Sequence, residues 1–209
     1  MRAGLDHIVY ACSDLTQACV EFERRSGIRP VYGGLHSGGA THNAIVPLRD
    51  DCYLEILAPV NGQAAELDGW ARLAAEAAPP RVLTYCLRTA LPLEQVAVRL
   101  PREGWLDTHV RQNGRVRPDG VALNWSWLNP GHPSFGLAFP FFIDWHGSPH
   151  PSAIAGPAPA CQLKRFEVRH PAAASLTRVL RALDAEVAVE GGEPGFTLSM
   201  ETPRGEVVL

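Results

Sequence analysis

The sequence lacks any dense cluster of Lys and Arg, and its 209 residues carry a formal net charge of -3 at pH 7. Proteins that bind nucleic acids through a basic face need such clusters to neutralise phosphate groups. The sequence also lacks an apolar run of the roughly 20 residues that a membrane-spanning helix requires. Its N-terminal segment is a poor signal peptide, because Asp6 interrupts the apolar residues there. The sequence therefore predicts a cytoplasmic protein that binds neither nucleic acids nor membranes.

Several motifs of enzyme and metal chemistry are absent as well. None of the five cysteines forms a C-x-x-C pair, which excludes zinc-finger and thioredoxin-like motifs and favours buried free thiols. The sequence has no G-x-S-x-G, no G-x-x-x-x-G-K-[ST] and no H-E-x-x-H motif. A glycine-rich segment, residues 33–43, precedes a predicted strand instead of a helix, so it lacks the context of a phosphate-binding loop. We interpret it as a mobile loop at the rim of a binding site.

What the sequence does contain is a threefold repeat of predicted elements, each a strand, a helix and then three strands. The first unit covers residues 5–59, the second 81–145 and the third 162–209. An amphipathic helix over residues 65–78 connects the first two units. The 19 glycines and 18 prolines fit many short elements joined by turns, and the second unit has two strong turn signals, Asn113-Gly114 and Asp119-Gly120.

This repeat predicts an α+β fold. A helix packed on a curved four-stranded sheet leaves the other face of that sheet uncovered, so two units side by side can roll their sheets into a shared cup. We assign residues 1–146 to these paired units and residues 147–161, rich in Pro, Gly and Ala, to a linker. The third, shorter unit, residues 162–209, then packs on the first two units or on a dimer partner, and the protein is a monomer or a homodimer.

One predicted strand, "CYLEILAP" over residues 52–59, carries a single carboxylate among apolar residues. Strand alternation places Glu55 on one face with Tyr53 and Leu57. A lone charge in apolar surroundings costs free energy unless a partner compensates it. That partner can be solvent, a cationic side chain or a metal ion.

The segments "DHIVYACSDLTQACVEFERRSG", "THNAIVPLRDDCYLEILAP", "VRPDGVALNWSW" and "FPFFIDW" together resemble the vicinal oxygen chelate superfamily. Within it, the sequence is most similar to glyoxalase-like domain proteins. The resemblance covers residues 5–146 and implies paired β-α-β-β-β units around a cup. The superfamily contains metal-dependent enzymes such as glyoxalase I as well as bleomycin-binding proteins, so the resemblance implies a fold more strongly than a reaction.

In the metal-dependent members, ligands come from the first and last strands of each unit. Carried over by position, the resemblance implies His7 and Glu55 as ligands from the first unit. In the second unit Thr84 stands in the place of His7 and cannot replace it, so Asp144 and His146 are the candidates there. The implied cofactor is a divalent Zn, Ni, Mn or Fe ion. Glu55 would also act as the catalytic base if it leaves the metal, with a pKa raised by its apolar surroundings.

The sequence also offers candidates for binding a small oxygen-rich or aromatic molecule, namely His42, Trp125, Trp127 and Arg117. The two tryptophans share a strand face and can line a pocket, but they can equally belong to the sheet core. Arg111, Arg115 and Arg117 surround the predicted Asn113-Gly114 turn and can receive an anionic substrate or simply carry charge on an exposed hairpin. We interpret the remaining histidines as solvent-exposed: His36, His109, His132, His150 and His170.

Two functions remain open at this stage. The first is a metal-dependent lyase or isomerase that stabilises an enolate or oxyanion in the cup. The second is a non-catalytic protein that sequesters a flat hydrophobic molecule against the tryptophans, as the bleomycin-binding members of the superfamily do. The incomplete set of ligands in the second unit favours the second function.

Overall fold

The computed structural model describes residues 3–48, 51–60, 69–101, 104–155 and 161–209. The predicted turn at Asp50, the start of the helix predicted over residues 65–78 and the end of the predicted linker lie outside these ranges.

The first unit is a strand, a capped helix and three further strands. Asp14 starts the helix by accepting a hydrogen bond from the Gln17 backbone N–H at 2.9 Å, and Gly27 ends it with a left-handed φ of +74°. The bounds are β1 Gly4–Ala11, α1 Leu15–Ser26, β2 Val31–Leu35, β3 Thr41–Leu48 and β4 Cys52–Pro59.

The same order of elements recurs twice. After α2 (Gly69–Ala75), the second unit contains β5 Arg81–Arg88, α3 Leu93–Arg99, β6 Arg111–Val116, β7 Ala122–Leu128 and β8 Phe141–Asp144. The third unit contains β9 Gln162–Arg169, α4 Ala173–Ala182, β10 Ala188–Glu190, β11 Gly195–Thr202 and β12 Gly205–Val208. None of the described helices is long and apolar enough to cross a membrane.

The eight strands of the first two units form one sheet in the order β2-β3-β4-β1-β5-β8-β7-β6. The units meet where β1 pairs antiparallel with β5. The outer strands approach each other as well, because Ser37, just after β2, donates its backbone N–H to the Gly114 carbonyl of β6 at 3.1 Å. The sheet is therefore curled into a nearly closed cup, and the predicted α+β fold of repeated units is confirmed.

The two faces of this sheet are covered differently. On the convex face, α1 packs through Phe22 into a core cluster that contains Ile8. On the concave face, α2 covers part of the cup, with Ala74 packed near Val9 and Leu57. The rest of the concave face lines a cavity that is partly open to solvent.

The third unit forms a separate sheet in the order β10-β9-β11-β12 and packs on the convex side within the same chain. Leu198 and Met200 of β11 belong to the core cluster that contains Ile8. The contact also has polar parts, since the Arg25 guanidinium donates to the Val208 carbonyl at 2.8 Å. The convex face of the cup is thus buried by this unit as well as by helices.

The turn prediction in the second unit is partly wrong. Asn113 and Gly114, predicted as a turn, lie within β6 and pair with Trp125 and Asn124 of β7. The turn forms at the second signal, where Gly120 takes a φ of +84°. A single hairpin needs only one turn, and the later position leaves both strands long enough to pair.

The glycine-rich segment 33–43 is only partly the loop that we predicted, because residues 33–35 belong to β2 and residues 41–43 to β3, and residues 36–40 connect the two strands. Gly34 takes a φ of +118°, and a Cβ there would lie 3.1 Å from the Val116 carbonyl oxygen of β6. Glycine therefore allows β2 to approach β6 closely at the place where the cup closes.

Candidate functional site

The concave face of the cup encloses about 680 Å³, part of which is open to solvent. Its lining combines six large aromatic side chains with six polar ones, and small-molecule sites typically join an apolar wall to polar groups that orient the ligand. The aromatic lining residues are Tyr53, Trp70, Trp125, Trp127, Phe141 and Trp145, and the polar ones are His7, His36, Thr41, Glu55, Asn113 and Arg115.

A β-bulge in β1 brings two consecutive polar residues into one network. The pairing of β1 with β5 shifts between Leu5 and His7, so that His7 lies opposite Cys86 and Asp6 has no partner of its own in the ladder. Thr84, predicted to stand in the place of His7 in the second unit, lies opposite Val9, and Cys86 lies opposite His7, a register that agrees with that equivalence.

Asp6 is fully buried, and its carboxylate is the centre of this network. Its Oδ1 lies 2.7 Å from His7 Nδ1, and its Oδ2 accepts from the Trp145 indole at 3.1 Å and lies 3.2 Å from His150 Nε2. Burial by itself raises the pKa of Asp6, but hydrogen bonds and charge from His150 and His7 outweigh it, so the pKa is lowered. An ionised carboxylate only accepts, so both imidazoles donate an N–H to it. His150, predicted to be solvent-exposed, belongs to this network.

Replacing Asp6 by Asn is expected to destabilise the protein by roughly 3 kcal/mol, because it leaves buried donors without their charged acceptor. The lowered pKa means that this stabilisation is present at neutral pH and is lost as the pH falls through the carboxyl range. Urea unfolding at neutral and acid pH measures both effects. The exposed substitution Asp184→Asn is the control, with an expected change within about 0.5 kcal/mol. Equal stabilities of the two variants at neutral pH would contradict the role of Asp6.

Glu55 lies between two imidazoles at the wall of the cup, and it is 7% exposed. Its Oε2 is 3.7 Å from His7 Nε2, and its Oε1 is 3.7 Å from His36 Nε2. Asn43 Nδ2 donates to Oε1 at 2.5 Å. The carboxylate in the apolar strand β4 is therefore compensated by three polar neighbours.

The expectation that apolar surroundings raise the pKa of Glu55 is wrong. Burial does raise the pKa, but His7, His36, the hydrogen bond from Asn43 and the charge of Arg115 together outweigh it, and the pKa is lowered. Glu55 is therefore ionised at neutral pH. In this state it is well suited to bind a cation and is only a weak base.

His36 was also predicted to be solvent-exposed, but it faces the cup. Its Nδ1 lies 2.9 Å from Thr41 Oγ1, and its Nε2 lies 3.4 Å from Asn43 Nδ2. The amide nitrogen of Asn43 only donates, so His36 Nε2 accepts and the ring proton is on Nδ1. Burial lowers the pKa of His36, which favours this neutral form.

His7 and His36 thus present their Nε2 atoms to the two oxygens of one carboxylate, that of Glu55. Atoms that bind the same transition metal at about 2.1 Å lie roughly 3 to 4 Å from one another, and each imidazole Nε2 lies at such a distance from one oxygen of the carboxylate. The two contacts go to different oxygens, and the three residues do not bring one ligand atom each within 4.8 Å of one another. Two imidazoles and one carboxylate are a donor set that divalent transition metals use, so the residue types fit the divalent ion that the resemblance implies, but the side chains would have to move closer together to bind one ion.

A second group of potential metal ligands overlaps with the first. Asp6, His7 and Cys86 are buried and offer ligand atoms that all lie within 4.8 Å of one another. However, the oxygens of Asp6 already accept hydrogen bonds, and burial raises the pKa of the Cys86 thiol well above its usual range. A metal binds the thiolate and not the thiol, so this group is the less suitable of the two.

Arg115 of β6 joins the network from the opposite edge of the sheet. It is 6% exposed, and its Nη1 donates to Asn43 Oδ1 at 2.7 Å. Asn43 therefore accepts from Arg115 and donates to Glu55, which fixes the orientation of its amide. Gly33 makes room for this contact, because a Cβ there would lie 2.3 Å from Asn43 Oδ1.

Trp125 and Trp127, two of the predicted substrate-binding residues, line the cup. The Trp125 ring lies 5.3 Å from the Trp145 ring and 6.1 Å from the His36 ring, measured between centroids. The aromatic surface is therefore continuous with the polar network. Its role in binding a substrate stays a prediction.

Two other predicted substrate-binding residues do not reach the cup. His42 pairs with Ala58, whose side chain packs in the convex core, so His42 lies on the wrong face of β3. Arg117 follows the end of β6 and forms an ion pair with Asp119 at 2.5 Å.

The structure likewise does not bring Asp144 and His146 to His7 and Glu55. On β8 the cup is lined by the alternate residues, and the side chains of Asp144 and His146 are both 48% exposed. His146 Nε2 lies 2.6 Å from Ser126 Oγ instead. We therefore leave these two residues out of the proposed metal site.

Strand register could have identified Asn43, which the sequence analysis missed, and could have selected Arg115 from the three arginines that it considered. The hairpin of β3 and β4 pairs residues whose numbers add to 100, so Asn43 lies opposite Leu57 and on the face of Glu55. In the same way, Arg115 shares a hairpin face with Trp125 once the turn is placed at Asp119-Gly120. The sequence analysis thus named His42 in place of Asn43 and Arg117 in place of Arg115, which are errors of one and two residues along the chain.

The sequence matches the glyoxalase-like domain family over residues 5–183, and the chain belongs to that family. The predicted resemblance is thereby confirmed. No functionally curated protein matches the sequence.

Several solved structures are similar to this chain. A hypothetical protein from Staphylococcus aureus is similar to this chain, with 16% identity, a TM-score of 0.62, and coverage of 100% of this chain and 84% of that one. The methylmalonyl-CoA epimerase of Streptomyces coelicolor, in complex with 2-nitronate-propionyl-CoA, is 17% identical with a TM-score of 0.47, and covers 72% of this chain and 100% of its own. The epimerase from Mycobacterium tuberculosis is 17% identical with a TM-score of 0.41, and the coverage is 67% and 85%.

Proposed function

We propose that the protein binds a small molecule in the cup and acts on it as a divalent-metal-dependent lyase or isomerase, with His7, His36 and Glu55 as the metal ligands. The observation that carries this proposal is the convergence of two imidazole Nε2 atoms on one buried carboxylate, each at 3.7 Å. Buried groups of this kind occur together where they share a cation.

The surroundings of the three ligands support the proposal. Asp6 lies 2.7 Å from His7 Nδ1, Thr41 Oγ1 lies 2.9 Å from His36 Nδ1, and Asn43 donates to Glu55 at 2.5 Å. Partners of this kind orient metal ligands, and their loss typically lowers metal affinity roughly 10- to 100-fold. These contacts would keep each side chain oriented while the three ligands close on an ion.

The proposed lyase or isomerase reaction is argued from the charges at the proposed metal site. A divalent ion held there supplies Lewis acidity toward a carbonyl or carboxylate oxygen of the substrate. The aromatic wall orients the apolar part of the substrate and keeps water away from it. Glu55 is the proposed proton acceptor once it leaves the metal, and because its pKa is lowered it can remove only an acidified proton, such as one next to a carbonyl group.

The test is metal binding by matched variants, measured by equilibrium dialysis against Zn, Ni, Mn and Fe. The wild-type protein is expected to bind one ion per chain. His36→Gln is expected to weaken binding at least tenfold, because it removes a ligand, whereas Cys86→Ala is expected to leave it unchanged.

Each other outcome has a definite meaning. If Cys86→Ala abolishes binding and His36→Gln does not, the ion is held by the group of Asp6, His7 and Cys86. If the wild-type protein binds none of the four ions, the metal-dependent reaction is wrong.

A non-catalytic binding protein is the second candidate, and one observation favours it. The described cup-lining residues of the second unit include no imidazole and no carboxylate, and most of them are apolar or aromatic: Asn113, Arg115, Trp125, Trp127, Phe141, Ile143 and Trp145. A protein that sequesters a hydrophobic molecule needs only this wall. A bound ligand that is recovered unchanged, with no exchange of its protons for deuterium, would support this function.

A further inference from the structure

We infer that the ligand of the cup carries a carboxylate and that Arg115 binds it through two parallel hydrogen bonds. The inference rests on the proposed function only in taking the cup as the ligand site, and it requires no metal. It would restrict the ligands to small carboxylic acids with an aromatic or otherwise flat apolar body.

The first observation is the state of the guanidinium group. Arg115 lines the cup and is 6% exposed, and its Nη1 donates to Asn43 Oδ1 at 2.7 Å. Its Nε and Nη2 are buried and have no hydrogen-bond partner among the described residues. These two nitrogens form one edge of the planar group, with their N–H bonds parallel. Arginine uses such an edge to bind a carboxylate in a bidentate manner.

The second observation is that, within the described parts of the chain, no anionic side chain forms an ion pair with Arg115. Glu55 is separated from Arg115 by Asn43, which accepts from the one and donates to the other. A guanidinium group cannot lose its proton to escape burial, so a buried one with unsatisfied donors costs free energy in the empty protein. A planar anion with two acceptor atoms would remove that cost on binding.

The third observation concerns the body of the ligand. Trp125 lies 6.1 Å, between ring centroids, from His36, which is itself in contact with Asn43. Trp127 and Trp145 extend this surface along the cup. A molecule with its carboxylate on Arg115 would therefore place its apolar part against indole rings.

The test compares acids with their neutral amides. Phenylacetate and indole-3-acetate, each beside its amide, are titrated into the protein, and binding is followed by tryptophan fluorescence and calorimetry. Each acid is expected to bind at least tenfold more tightly than its amide. Arg115→Gln should abolish this preference, and Arg24→Gln should not, because Arg24 pairs with Glu21 on the surface and its loss removes the same charge. Arg115→Lys keeps the charge without the planar edge and should retain only part of the preference.

The outcomes separate this inference from the proposed function. If acids and amides bind the wild-type protein equally, the inference is wrong, and this comparison needs no variant to fold. If phenylphosphonate binds more tightly than phenylacetate, the site takes a tetrahedral oxyanion and the carboxylate assignment is wrong. If the preference disappears with EDTA but survives Arg115→Gln, the acid binds the metal, which supports the proposed function alone. A preference that persists in EDTA and is lost in Arg115→Gln supports the inference even if no metal is ever bound.

Discussion

Replacing Glu55 by glutamine is expected to lower the affinity for a divalent ion by about a hundredfold while the fold survives. Glutamine keeps the size of the side chain but removes the charge toward which His7 and His36 point. Losing one of the contacts that orient a metal ligand typically lowers metal affinity roughly 10- to 100-fold. Losing the charged ligand itself should lower the affinity by at least the upper limit of that range. Metal affinity by dialysis and the melting temperature should be measured together.

The control for this variant is Glu76→Gln, which removes an equal charge from an exposed ion pair with Arg72. It should change neither the metal affinity nor the melting temperature appreciably. A Glu55→Gln protein with unchanged metal content and a raised melting temperature would show that Glu55 is not a metal ligand. Burying the charged Glu55 carboxylate would then cost more free energy than its contacts with neighbouring side chains contribute.

Truncation of the chain after about residue 158 is expected to abolish cooperative folding. The third unit contributes buried side chains to both cores on the convex face, among them Leu198 and Met200 near Ile8, and Val168 and Leu176 near Tyr85. Re-exposing each large apolar side chain costs roughly 1.5 to 3 kcal/mol, and several such losses equal the whole stability of a typical domain. Circular dichroism melting and size-exclusion chromatography of the fragment measure the outcome.

A milder pair of variants tests the same interface in the full chain. Leu198→Ala removes a fully buried side chain and should cost roughly 2 to 5 kcal/mol. Val208→Ala changes a residue of the same unit that is 53% exposed and should have a much smaller effect. A truncated fragment that is soluble, monomeric and melts cooperatively would show that the third unit is an independent appendage.

The architecture could be predicted from the sequence because it depends on features that repeat. The order of strands and helices recurs in each unit, and hydrophobic alternation predicted which face of β1 and β4 would be concave. The resemblance to the vicinal oxygen chelate superfamily implied His7 and Glu55 as ligands, and alternation along β1 and β4 placed both on the concave face. Trp125 and Trp127 follow the same rule on β7.

The residues that the sequence analysis missed enter the site through irregular features of the fold. The alternation of apolar and polar residues along a strand does not predict such features. Asp6 enters the site through a bulge, which moves one residue out of the strand ladder without a sequence signal. His150 reaches Asp6 from a segment that was assigned to a linker, across 144 positions of the chain. His36 lies between two strands at the point where the sheet closes, and closure brings together β2 and β6, which are far apart in sequence. Such long-range contacts are set by the curvature of the whole sheet.

The side chain of Asn43 has a consequence for how the cup would respond to its ligand. Its amide joins a cation at one end to an anion at the other, so the ionisation of Glu55 and the occupancy of Arg115 are thermodynamically linked. The charge of Arg115 is one of the influences that keep Glu55 ionised. An acid bound to Arg115 would neutralise that charge and make Glu55 more basic. The residue proposed to accept a proton would thus become a stronger base only when the molecule to be deprotonated is in place.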